Sequence, residues 1–103
     1  LKTFYYYLYS SMNIKDTIEN KLKEHMEVKY IDISDTTGQH VNHQNFDGGH
    51  HLSAIIVSDN FKSIDLIDRH RLVYQALGSL IKNEIHAFSM KTFTESEWDT
   101  HVS

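Results

Sequence analysis

Residues 51–93 read HLSAIIVSDN FKSIDLIDRH RLVYQALGSL IKNEIHAFSM KTF, and the succession of patterns in this stretch decides the fold. The run LSAIIVS after His51 is short, apolar and rich in branched side chains, which predicts a buried strand. Phe61 to Asp68 predicts a helical turn. Leu72, Val73, Ala76, Leu77, Leu80 and Ile81 then fall at i, i+1, i+4, i+5, i+8 and i+9, a broad apolar stripe along one helix face. Glu84 to Phe93 predicts the last strand. A strand–helix–strand crossover should leave that strand parallel to its neighbour, by a right-handed connection.

Upstream, Asn13 is a helix cap, Asp16 sits in the favoured first turn, and Ile14, Ile18, Leu22 and Met26 recur every four residues. This predicts a surface helix with a narrow apolar seam. Val28 to Ser34, VKYIDIS, reads as a strand. Asp35 to His50, DTTGQHVNHQNFDGGH, has no apolar period and three glycines, so it reads as a long loop of the kind that is functional or mobile in a compact domain. Two strands around one loop predict an antiparallel pair. At the other end, Thr94 and Glu97 form a T-x-x-E capping box for a terminal turn carrying Trp98. The expectation is a single α+β domain in α-β-β-α-α-β order, with a three-stranded mixed sheet. Residues 13–103 form the domain, and residues 1–12 an aromatic leader, flexible or a targeting remnant.

With 103 residues, the chain can bury roughly two-thirds of its unfolded surface, enough to fold without staples. It has no cysteine, which removes disulfides, thiolate cages and cysteine nucleophiles and gives no argument for an oxidising compartment. The leader LKTFYYYLYSS is too short to span a bilayer and lacks the apolar centre of a signal peptide. The expected location is therefore mitochondrial or cytoplasmic, not secreted, with no membrane association. The net charge of −4 with histidines neutral argues against bulk attraction to nucleic acid. No Walker loop, G-x-S-x-G elbow, G-x-G-x-x-G or H-E-x-x-H occurs, and the carboxylates form no evident pair, so no enzymatic activity is expected.

Histidine is the residue that stands out, with eight copies. His40, His43, His50 and His51 crowd the long loop, and neutral imidazole is the commonest protein metal ligand. As single loop residues they are also ordinary solvated groups. His86 opens the last strand, where alternation places it on the face of Phe88 and Met90; composition alone makes it a hydrogen-bonded structural histidine. Arg69, His70 and Arg71 fall at the start of the predicted long helix, where cations oppose the macrodipole and a phosphate or carboxylate would compensate them.

The blocks DTTGQH, HLSAIIVSDNF, RHRLVYQALGSLI and IHAFSMKTFTESEW, in this order and spacing, resemble the BolA family from about Ile14 to Trp98. The most specific parts are V-S-x-x-F followed by R-H-R, then I-H-A and the T-x-x-E-W ending. The resemblance implies a fold similar to the type II KH domain. It also implies an adaptor that pairs with a monothiol glutaredoxin and shares a [2Fe–2S] cluster, in iron–sulfur assembly, cluster transfer or iron regulation. Such a protein is a monomer alone and a heterodimer with its partner, and holds no cofactor by itself. The C-terminal metal ligand maps onto His86 in I-H-A. The loop ligand maps onto His40 through D-x-[ST]-x-x-H, with His51, just ahead of the second strand, in reserve. The alternative function in the family is a DNA-binding transcriptional regulator, for which Arg69, His70, Arg71 and Lys82 are the candidate contacts with DNA or a partner. The sequence departs from the family in its longer, more histidine-rich loop, and in Ser63, where the family often has glycine two residues after the phenylalanine. That turn also lacks the G-x-x-G clamp of RNA-binding KH domains.

Overall fold

Asn13 starts the first helix as its side chain requires: Oδ1 accepts the N–H of Asp16 at 2.9 Å, and the Thr17 hydroxyl donates to the Asn13 carbonyl at 3.0 Å. In the computed structural model, which describes residues 13–36 and 50–103 with the backbone alone of Lys82 and His86, this helix, α1, spans Ile14–His25. It buries the expected seam: Ile18 and Leu22 are fully buried and Met26 nearly so. Strand β1 follows at Tyr30–Asp35 and β2 at His50–Val57. A 3₁₀ turn at Asp59–Phe61 leads to α2 (Leu66–Leu77), α3 (Leu80–Asn83), β3 (Ile85–Phe93) and α4 (Glu95–Val102).

The sheet has the order β1-β2-β3. β1 and β2 are antiparallel, from Tyr30 opposite Val57 to Asp35 opposite Leu52. β2 and β3 are parallel, with Leu52 opposite Phe88 and Val57 opposite Phe93. Both pairings are those expected for a hairpin and a helical crossover. Strand alternation turns Ile33, Leu52, Ala54 and Ile56 toward α1 and α2. There they form one core with Ile18, Leu22, Phe61, Val73, Ala76, Leu77 and Ile85.

Three local expectations change. The helical turn predicted over Phe61 to Asp68 is instead a 3₁₀ turn ending at Phe61, and α2 begins at Leu66, capped by Asp65, whose carboxylate accepts the Asp68 N–H at 2.9 Å. The stripe from Leu72 to Ile81 is not one helix. Gly78, at φ 57° and ψ −129°, ends α2 and starts the short α3 in a new direction. An apolar stripe records which residues are buried but not that two axes share the burial. Finally, the terminal turn is a full helix, α4, with both halves of the predicted capping box formed by Thr94 and Glu97.

Candidate metal and partner site

The strand directions bring three chain segments to one end of the sheet. β1 ends there at Asp35, while β2 and β3 both begin there, with His50 opposite Ile85. The stretch between Thr36 and His50, with His40 and His43, joins β1 to β2 at this end and lies outside the described residues. Its neck is pinned on both sides. The N–H and hydroxyl of Thr36 donate to the His51 carbonyl at 2.8 and 2.9 Å, and the His50 N–H donates to the Glu84 carbonyl at 3.1 Å. Nδ1 of His50 lies 3.7 Å from Oδ2 of Asp35.

His86 lies in the same end of the sheet, at an irregularity. His50 pairs with Ile85 and His51 with Ala87, so His86 is an extra residue on β3. Bulges of this kind are rare in parallel pairs and re-aim a side chain where they occur. Burial along the strand records the same slip. Ile85 is buried, Ala87 and Ser89 are exposed, and Phe88, Met90 and Thr92 turn inward. The unbroken alternation used above to place His86 with Phe88 and Met90 therefore does not pass through it. The His86 side chain lies outside the described residues, as does that of Lys82.

The triplet Arg69-His70-Arg71 does not converge on a ligand. It sits in the second turn of α2, behind an acidic first turn of Asp65 and Asp68, so the supposed opposition to the macrodipole disappears. Arg69 turns inward. Its Nε donates to the Ile64 carbonyl at 3.0 Å and Nη1 to the Thr92 carbonyl at 3.3 Å, while the two terminal nitrogens grip Glu97 at 2.6 and 3.1 Å. Only 12% of the side chain is exposed, and the guanidinium carbon stands 5.9 Å from the centre of the Phe61 ring. The grip holds the Glu97 carboxyl down at about 2, with help from the Thr94 backbone N–H, and raises the Arg69 guanidinium above its ordinary value. Arg71 points outward and donates to Asp68 at 3.1 Å. Nε2 of His70 is shielded from solvent without a hydrogen bond among the described residues.

Two features escaped the sequence reading. The Tyr74 hydroxyl donates to the Phe88 carbonyl at 3.2 Å, joining Arg69 in covering the outer edge of β3. At the far end of the sheet, Trp98 of α4 stacks on Tyr30 at 5.3 Å and on His101 at 5.6 Å, and packs tilted against Phe93 at 5.2 Å. Aromatic density and the capping box hinted at this cluster, but its partners come from three separate elements.

A sequence model described as BolA-like protein matches residues 22–97. The chain belongs to the BolA-like family. The DNA-binding transcriptional regulator BolA of Haemophilus influenzae is 32% identical to it over 87 residues, covering 84% of this chain and 82% of that protein. Among solved structures, a Bol-like protein from Babesia bovis superposes with a TM-score of 0.70 at 30% identity, covering 90% of this chain and 98% of that one. The BolA domain of SufE1 from Arabidopsis thaliana reaches 0.71, also at 30% identity, covering 84% and 99%. No helix among the described residues of this BolA-like chain is long and apolar enough to cross a membrane.

Proposed function

We propose that this BolA-like chain is a non-enzymatic adaptor that binds a monothiol glutaredoxin and shares a [2Fe–2S] cluster with it. The observation that carries the reading is the gathering of His86, His51 and both ends of the histidine-rich loop at one end of the sheet. The donor chemistry fits. Imidazole can replace thiolate on one iron of such a cluster, and a chain without cysteine must take its thiolates from a partner. Among the described residues, no group of three or more His, Cys, Asp or Glu side chains is placed to hold a metal ion. His86 would supply one imidazole and the loop a second, His40 by its motif or His51. When bound, the cluster supplies a redox-active, transferable iron centre. The protein residues would hold one side of it in neutral, proton-sensitive ligands, so acidification should weaken retention. Mitochondrial or cytoplasmic placement is part of this proposal.

The test is anaerobic reconstitution with a monothiol glutaredoxin, glutathione, ferrous iron and sulfide. His86→Ala should change the visible absorption of the complex and weaken it. Unchanged spectra and an equally stable complex would exclude His86 as a ligand.

The regulator named DNA-binding in Haemophilus influenzae supports a second reading, binding of DNA. Its candidate residues give it modest support, because Arg69 is engaged by Glu97 and Arg71 by Asp68. Affinity for a duplex should fall steeply with salt. Absence of binding to both random and promoter DNA at low salt would remove this reading.

A further inference from the structure

We propose that the outer edge of β1 is a docking site for an extended basic segment of a partner protein, which adds to the sheet as a fourth strand. The backbone sets up the site. The Thr36 N–H donates to the His51 carbonyl at 2.8 Å, in the same register that places Asp32 opposite Ile55 and Ser34 opposite Ser53. Along an antiparallel pair, residues that bond to the neighbouring strand alternate with residues that do not. Tyr30, Asp32 and Ser34 therefore turn their N–H and C=O groups to β2. Those of Ile31 and Ile33 point out of the sheet and make no hydrogen bond among the described residues. The opposite edge is treated differently. On β3 the outward carbonyls of Phe88 and Thr92 are taken by the Tyr74 hydroxyl and the Arg69 guanidinium. Side chains of α2 thus obstruct pairing at one edge only, and an unobstructed row of backbone groups is a template for another strand.

The side chains of β1 state what the added strand must carry. Ile33 belongs to the core and Ile31, half-buried, packs against it, while Tyr30, Asp32 and Ser34 are exposed on the opposite face. A strand laid beside β1 meets an apolar shelf on one face and a polar row on the other. Asp32 stands at the centre of that row. Its neighbour on β2 is Ile55, and its carboxylate forms no ion pair among the described residues. A lysine or arginine on an antiparallel fourth strand would stand opposite Asp32 in a pair without hydrogen bonds, where side chains approach most closely. The residues on either side of it would then bond to Ile31 and Ile33 and extend their apolar cover. The complementary segment alternates branched apolar and basic residues, and the net charge of −4 attracts it. A second copy fits worse, because the register that pairs Ile31 of one copy with Ile33 of the other sets two Asp32 carboxylates face to face.

The experiment follows the amide resonances and hydrogen exchange of the full ¹⁵N-labelled chain by nuclear magnetic resonance while a capped peptide, Thr-Val-Lys-Val-Lys-Val-Thr, is added. In the chain alone the Ile31 and Ile33 amides should exchange fast, and the amides that β1 donates to β2 slowly. The peptide should shift the Ile31 and Ile33 resonances and slow their exchange, with little change at β3. The same peptide with glutamate for both lysines should bind several-fold more weakly, the scale of a favourable cross-strand charge pair turned unfavourable. N-methylation of the valines, which removes the donors facing β1, should abolish binding. Asp32→Lys, an exposed substitution, should reverse the preference between the two peptides. Ile31 and Ile33 amides that ignore the lysine peptide, or equal binding of both peptides, would overturn the proposal. So would slow exchange of these amides in the chain alone: independent of concentration it would mean that another segment of the same chain fills the edge, and rising with concentration that a second copy does.

Discussion

Ser63 has φ of 64°, in the left-handed region that costs a non-glycine residue roughly 1–2 kcal/mol. It follows Phe61-Lys62 at the position where the BolA family often has glycine, so the departure is a local backbone cost. Ser63→Gly should raise stability by about 0.5–1 kcal/mol, after allowing for the added freedom of glycine in the unfolded chain. Urea unfolding should show a higher midpoint with unchanged slope. Glu97 is the residue with the clearest acid response. The Arg69 guanidinium, then the Thr94 N–H, lower its carboxyl from the ordinary 4.5 to about 2. A depressed folded-state value contributes stability that is complete above the ordinary carboxylate range and is lost as pH falls from about 4.5 through about 2. The parent should therefore lose stability over that window, whereas Glu97→Gln should be less stable at neutral pH and show a flatter acid profile. Equal profiles by circular dichroism would contradict the Arg69–Glu97 grip.

At the level of elements, the break between α2 and α3 turns on Gly78. Its φ of 57° and ψ of −129° lie where an L side chain is strained, although an added Cβ would meet nothing closer than the Gln75 carbonyl at 4.0 Å. The cost of Gly78→Ala is thus conformational, about 1–3 kcal/mol, and should appear as a lowered thermal midpoint without loss of the sheet signal. The stripe from Leu72 to Ile81 foretold the buried face but not the break, because the periodicity of apolar residues carries no information about a change of axis. Caps were more legible: Asn13, and Thr94 with Glu97, act where side-chain chemistry alone places them. Arg69 was read as a binding residue because three cationic or titratable neighbours in sequence suggest a patch. On a helix, adjacent residues point in different directions, so Arg69 turns inward to cover the β3 edge while Arg71 remains in solvent. An exposed edge would be open to pairing with another strand, which gives the inward turn of Arg69 and Tyr74 a structural purpose.

Across the whole molecule, the mixed sheet was legible because the hairpin and the crossover each leave one plausible pairing, and the observed register follows both. The histidine end was only half legible. I-H-A and the loop histidines could be identified, but the bulge at His86 and the carboxylate behind His50 depend on pairings between residues far apart in the chain. Both belong to the one end of the sheet where three strand termini meet, and this end is where partner and chain should share metal. The direct measurement is native mass spectrometry of untagged chain mixed anaerobically with a monothiol glutaredoxin, glutathione, ferrous iron and sulfide. The account predicts a one-to-one complex whose mass includes a [2Fe–2S] unit and which dissociates when iron is chelated. A chain that stays monomeric while the glutaredoxin keeps the cluster to itself would contradict it.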